Sequence, residues 1–371
     1  MPRPLQKIAF VLEEFPVPSA GQQLLDRFLI GYPRDGNLHK LEGCQIAAHL
    51  APGADDAELR RRVTDFGLTR SDSIESAMAD ADATIIAWRG NGSVPNEKLL
   101  QTVIEKARPG TTCFIHGVLA SSADGAQSLL KAAAARNITL VAGHPLGVTW
   151  RLPEIQIPRG TVLKEALIVV QGPSPAAEYQ ALEALFPIIE KRSRGEAGVR
   201  RVRSLAGDAV WQAGTKGDWS WPLLAAAISR SDSPLGDPEK DGRTQDIVGL
   251  GLVPKLATAP RARCIEHVDG LRSTVLVLDG ATRDTTFAVR SSDGRIFSSQ
   301  IYCPPAPAEH QFTRLAEVVE DYFRGGKPPW PVKRGALIAG VLESWLNTAA
   351  TARPGGDAGS WHRTPKLHLD Y

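Results

Sequence analysis

What most constrains this chain is an alternation in its first part: short apolar runs, each followed by a longer amphipathic stretch. Lys7–Leu12 (KIAFVL), Cys44–Leu50 (CQIAAHL), Ala83–Trp88 (ATIIAW), Thr112–Ile115 (TCFI) and Thr139–Ala142 (TLVA) read as strands. Between them Gln22–Ile30, Asp55–Phe66, Asn96–Ala107 and the Ala-rich Ser122–Arg136 carry helical periodicity. A strand that returns through a helix lies parallel to its neighbour, and a parallel sheet is covered on both faces, which is why these runs are apolar throughout. Residues 1–150 are therefore expected to form a Rossmann-like, doubly wound α/β domain.

The texture changes after Trp150. Val162–Val170 reads as a strand and Ala176–Lys191 as a helix; the short runs Arg261–Val268, Ser273–Leu278, Thr285–Arg290 and Arg295–Tyr302 follow. The steps Val268-Asp269-Gly270 and Ser292-Asp293-Gly294 are hairpin signals. Two helices, Glu309–Phe323 and Arg334–Thr351, close the chain on either side of the proline-stiffened GGKPPWPV. Residues 151–371 are thus expected to form an α+β domain with an open, mostly antiparallel sheet, the closing helices included. Trp361 and Leu367 in the tail imply that it folds back onto the body.

Composition excludes several classes. The 371 residues carry 43 Lys+Arg against 41 Asp+Glu, a net +2 without the basic surplus of a nucleic-acid binder. No run is long and apolar enough for a membrane span, and the N-terminus enters a strand without an export signal, so a cytoplasmic location is expected. Cys44, Cys113, Cys264 and Cys303 form no CxxC pair and read as buried thiols in a reducing compartment. Zinc would want about four ligands in recognisable spacing; none stands out, and no metal is expected.

Open parallel sheets bind ligands at the carboxyl ends of their strands, where the strand order reverses. The first such loop, LEEFPVPSAG, has Gly21 alone where a dinucleotide fingerprint needs several glycines, and HLAPGADD places Asp55 and Asp56 too late to hold a ribose. Later loops are richer. WRGNGSVPNEK supplies Arg89, Asn91 and Ser93, while IHGVLASS and AGHPLGVTWR supply His116, His144, Trp150 and Arg151. His116 and His144 are the candidate acid–base pair; Gly21, Arg89 and Asn91 are the candidate cofactor contacts; Trp150 and Arg151 are candidate substrate contacts on the same cleft. Asp208, with Trp211, Trp219 and Trp221, suits a sugar ligand, because aromatic faces pack on C–H groups beside a carboxylate. Glu178 and Glu183 read as solvated helix surface, and the arginine-rich Arg192–Arg203 as a solvated edge strand.

The order of parts, with the segments GHPLGVTWRLPE, GDAVWQAG, HVDGLRSTVLVLDG, GKPPWPVKRGAL and TPKLHLDY, resembles a divergent branch of the Gfo/Idh/MocA oxidoreductases, the glucose-fructose oxidoreductase and inositol dehydrogenase family. The resemblance covers nearly the whole chain. It implies an NAD(P)-binding fold, a sugar, polyol or sugar-acid substrate and a homo-oligomer built through the C-terminal sheet. Its catalytic motifs depart from the family. The family's E-K-P corresponds to His116-Gly117-Val118, so its lysine is Gly117; its D-x-x-x-H corresponds to Ala176–Gln180, so its histidine is Gln180, kept as a substrate contact. Glutamine cannot take up a proton near neutrality. NAD or NADP is accordingly expected to bind weakly or not at all. The expectation is an atypical oxidoreductase for a sugar-like ligand; the alternatives are a cofactor-free sugar-binding or partner protein, and a lyase or hydrolase acting on an oxidised sugar.

Overall fold

In the computed structural model, which describes residues 4–90, 92–233, 246–351 and 359–371, the chain divides into two units. The first comprises Met1–Val148 and Pro304–Ala339, the second Thr149–Cys303 and Gly340–Tyr371. The boundary expected at 150 falls at Val148. The closing helices correct the expectation: His310–Phe323 and the start of Lys333–Thr351 belong to the first unit rather than the second.

The first unit is built on six parallel strands. These are β1 (Lys7–Leu12), β4 (Gln45–Leu50), β5 (Thr69–Arg70), β6 (Ala83–Ala87), β7 (Thr112–His116) and β8 (Thr139–Gly143), in the order β5-β4-β1-β6-β7-β8. The order reverses between β1 and β6, which pair in register from Ile8 opposite Ala83 to Leu12 opposite Ala87. Every residue of β6 is buried, as sheet faces covered on both sides require. Helices α1 (Ala20–Leu29), α2 (Ala57–Phe66), α3 (Ile74–Met78), α4 (Glu97–Lys106) and α5 (Ala123–Ala135) follow the strands. Ser19, Ser73, Asn96 and Ser122 accept N–H groups of the first turns of α1, α3, α4 and α5. A small hairpin, β2 (Tyr32–Arg34) with β3 (Asn37–His39), is an addition the periodicity does not announce. It is held by buried Glu320 of the helix His310–Phe323, which accepts from Tyr32 Oη at 2.7 Å and lies 2.9 Å from His39 Nε2.

The second unit carries eight strands: β9 (Arg151–Leu152), β10 (Leu163–Val170), β11 (Val199–Ala206), β12 (Thr258–His267), β13 (Arg272–Asp279), β14 (Thr285–Ser291), β15 (Ile296–Ile301) and β16 (His362–Arg363). Their order is β16-β11-β12-β13-β10-β14-β15-β9, antiparallel except for β10 with β13. The tail does fold back: β16 pairs with β11, and Leu367 is buried. Helix α6 (Ala176–Ile189) covers one face of the sheet. Helices α7 (Asp208–Thr215) and α8 (Trp221–Ile228) cover the other, around Leu167, Val169, Leu205, Ala262 and Cys264. Both faces of the sheet thus carry helices.

Three further readings change. Glu178 and Glu183 are each 2% exposed rather than solvated, because α6 lies flat on the sheet and buries nearly every residue. The Arg192–Arg203 run is not a solvated edge: Arg192 is 4% exposed and ion-paired with Glu196 and Asp269, and β11 lies inside the sheet. All four cysteines are free thiols, but only Cys113 and Cys264 are buried; Cys303 is exposed. No helix among the described residues is long and apolar enough to cross a membrane.

Candidate functional site

The switch point of the first unit lies between the ends of β1 and β6. A dinucleotide site there needs bare backbone N–H groups at a tight glycine turn and no competing negative charge. Instead β1 runs into Glu13 and Glu14, and both carboxylates reach across to the loop after β6. Glu13 Oε2 accepts from Arg89 N at 2.8 Å and its Oε1 from Asn96 Nδ2 at 2.7 Å; Glu14 Oε1 accepts from Gly90 N at 2.6 Å. The chain supplies its own anions to the amide groups at the crevice. Phe15 follows, 1% exposed, its ring 5.5 Å from the Arg62 guanidinium. Gly21 is buried, and a Cβ there would meet Leu12 Cδ2 at 3.2 Å and Ala87 Cβ at 3.6 Å, so it serves close packing of α1 on the sheet rather than approach of a ligand. At the end of β4, Asp56 is paired with Arg60 and Arg70, and Asp55 caps Ala57 N. These residues do not fit a nicotinamide dinucleotide held in the usual way.

The neighbouring strand ends are joined to one another. Trp88 Nε1 donates to Val118 O at 2.8 Å, Val118 N to Gly92 O at 2.8 Å, and Gly117 N to Gly143 O at 3.1 Å. Gly117 has φ +127°, and a Cβ on it would lie 2.5 Å from both Gly92 O and Trp88 Cδ1. A side chain at position 117 has no room here.

His116 and His144 stand together, as strand-end placement suggests, with ring centroids 5.2 Å apart. They are packed into the interior, at 1% and 7% exposure, under Phe312, whose ring lies 5.7 Å from that of His116. Burial lowers the His116 imidazole to about 4 and holds His144 well below its ordinary value as well. His144 Nδ1 accepts from Leu146 N at 3.3 Å, which places its proton on Nε2. Neither nitrogen of His116 has a hydrogen-bond partner among the described residues. Two imidazoles buried this deeply and held below their ordinary values are poorly placed to exchange protons with a ligand near neutrality, which weighs against the expected acid–base pair.

Beside the switch point an open cleft of about 690 Å³ is lined by Glu13, Arg89, Val94, Asn96, Glu97 and Lys98, among others. Arg89 is well exposed there, whereas Asn91 lies outside the described residues. The candidate substrate residues all belong to the second unit. Trp150 is 48% exposed with its ring 6.3 Å from that of Tyr302, and Arg151 has a buried Nε without a hydrogen-bond partner among the described residues. Gln180 is half-buried on α6 and Asp208 is exposed at the start of α7. Those helices cover opposite faces of the sheet, so Gln180 and Asp208 do not converge. Trp211, Trp219 and Trp221 pack against one another, Trp219 to Trp221 at 4.6 Å, as a side of the core.

No family model matches the chain, and no curated protein sequence matches it. Solved structures do. GenD2 from gentamicin A biosynthesis, in complex with NAD, is 13% identical, with 98% of this chain and 97% of that one covered and a TM-score of 0.59. Myo-inositol 2-dehydrogenase from Lactobacillus plantarum is 11% identical over 94% and 98% of the two chains, TM-score 0.58. Myo-inositol dehydrogenase from Lactobacillus casei, in complex with NAD(H) and myo-inositol, is 13% identical over 97% of each chain, TM-score 0.55. At such identities the likeness is one of fold. The parallel six-strand sheet followed by a mixed, mostly antiparallel one gives this chain the fold of these dehydrogenases, the architecture expected from its resemblance to the Gfo/Idh/MocA family.

Proposed function

We propose that this chain recognises a sugar, polyol or sugar-derived acid on the oxidoreductase fold and has given up the standard nicotinamide hydride transfer. The observation that carries this reading is the pair Glu13 and Glu14, whose carboxylates occupy the amide groups at the switch point. A pyrophosphate entering the switch point would face two negative charges in the loop that leads to α1. The ligand class rests on the structural neighbours, two of which are myo-inositol dehydrogenases. Four free cysteines suit a reducing, cytoplasmic location.

A second reading keeps an oxidoreductase that holds its nicotinamide with other loops. It is favoured by the open cleft, where Arg89 and Lys98 stand beside the N-terminus of α4. One experiment separates the two. Ligand released from purified, denatured protein is identified by absorbance and mass spectrometry, and NADH formation is followed over a panel of sugars and sugar acids. The first reading expects no nicotinamide and no turnover, and expects Gln180→His to create none. Nicotinamide co-purifying near one per chain, or substrate-dependent NADH formation, overturns it.

A further inference from the structure

At the carboxyl edge of the first unit's sheet, the cleft of about 690 Å³ draws its walls from three stretches of chain. Glu13 follows β1, Arg89 and Val94 follow β6, and Asn96, Glu97 and Lys98 open α4. This is the edge at which an open parallel sheet takes its ligands. The walls are reachable from solvent: Lys98 is exposed, Val94 is 67% exposed, the Arg89 side chain is 71% exposed, and Glu13, Asn96 and Glu97 are half-buried.

The two acids are held in place by the protein itself. Glu13 accepts from Arg89 N and Asn96 Nδ2, and Glu97 Oε1 accepts from Ser121 N at 2.8 Å and from Ser121 Oγ. A carboxylate oxygen takes more than one hydrogen bond, so both acids keep acceptor capacity. The two bases keep donors: Arg89 is ion-paired with Glu14 at 3.5 Å, and Lys98 has no ion pair among the described residues. The charges decide between ligand classes. Two acids and two bases line the cleft, and Glu14 adds a third acid beside Arg89, so no surplus positive charge is left to attract an anion.

We infer that this cleft binds a neutral polyol, a compound carrying several hydroxyl groups and no charge. A hydroxyl both donates and accepts; such a ligand donates to the carboxylates of Glu13 and Glu97 and accepts from Arg89 and Lys98, with its C–H surface against Val94. A sugar acid or a phosphate ester brings a negative charge that Glu13, Glu14 and Glu97 oppose. This inference rests on the proposed sugar-type ligand, narrows it to the uncharged members of that class and gives it a place in the first unit.

The test is calorimetric titration of the full chain with myo-inositol, D-glucitol, D-gluconate and NAD, at low salt and at about 0.5 M sodium chloride. Lys98→Met and Val94→Ser are the variants; both positions are exposed, so the fold tolerates the changes. A neutral polyol is expected to bind more tightly than gluconate or NAD, with an affinity that salt leaves unchanged, because it has no charge to screen. Lys98→Met is expected to weaken that polyol about tenfold, the loss of one hydrogen bond to a charged group, and Val94→Ser about threefold. If a polyol binds and neither substitution weakens it, the ligand class stands and this placement is wrong. Gluconate binding more tightly than both polyols overturns the charge argument while leaving the sugar-type reading intact. NAD binding most tightly, and weakened by Lys98→Met, makes the cleft a nucleotide site and overturns both. If none of the four binds, the broader proposal falls with this one.

Discussion

Replacing Gly117 by alanine tests whether the strand ends at the switch point are closed on one another. The backbone at φ +127° lies where L-residues rarely go, and adopting such a conformation costs roughly 1–2 kcal/mol. The new Cβ would also fall 2.5 Å from Gly92 O and Trp88 Cδ1. Neither neighbour can easily yield, because Gly92 O accepts from Val118 N and Trp88 Nε1 donates to Val118 O. Overpacking of this kind adds roughly 1–3 kcal/mol. The sum is about 3 kcal/mol, and for a unit of this size that lowers the melting midpoint by about 6–12 °C. Scanning calorimetry at neutral pH measures it. Gly36→Ala is the control: Gly36 also has positive φ, at +79°, but a Cβ there meets nothing within 4 Å, so only the backbone cost of about 1 kcal/mol applies. A Gly117→Ala protein no less stable than the Gly36→Ala protein would refute the reasoning. Gly117→Lys, which restores the family's residue, is expected to fare worse still and to gain no activity.

Further expectations follow from buried polar groups. His116→Leu removes an imidazole with no hydrogen-bond partner, so at pH 7.5 chemical denaturation should find it within about 1 kcal/mol of the parent; a loss above 2 kcal/mol would reveal a partner. His116 titrates near 4 when folded and near 6.5 when unfolded. The unfolded chain thus takes up its proton first as pH falls, and the stability His116 allows at neutral pH is lost between about 6.5 and 4, amounting to about 2 kcal/mol by pH 5. His116→Leu should therefore become the more stable protein near pH 5, and equal pH profiles would contradict this. Glu320→Ala strips the acceptor from Tyr32, His39 and Arg324 at a fully buried position and should cost about 3 kcal/mol or more. Tyr32→Phe should cost about 1 kcal/mol, and urea melts giving the reverse order would argue against the account.

The fold was legible where one physical signal dominates. β1, β6, β7 and β8 are buried on both faces, so KIAFVL, ATIIA, TCFIH and TLVAG announce themselves as strands of a parallel sheet. Long-range contacts left no such mark. The helix His310–Phe323 follows the second unit's strands in sequence but returns to the first unit, where Phe312 lies on His116. Glu178 reads as surface because its burial depends on Arg261 and Arg263, far along the chain on another element. The absence of fingerprint glycines is visible in LEEFPVPSAG, but not that Glu13 and Glu14 reach across the switch point to the backbone of the loop after β6. Helices α7 and α8 were missed because their tryptophans suggested a ligand surface, whereas Trp219 packs beneath Trp211 and Trp221 as core. The two histidines were placed at the right strand ends; their depth depends on the helix that covers them.

Calorimetric titration of the purified chain with NAD and NADP tests the central claim most directly. With Glu13 and Glu14 closing the switch point, dissociation constants on the order of 0.1 mM or weaker are expected for both nucleotides, since each lost phosphate or ribose contact is worth roughly 1–3 kcal/mol. A micromolar constant for either nucleotide would contradict the account, because it would require the crevice between β1 and β6 to open and release the amide groups that the two carboxylates now hold.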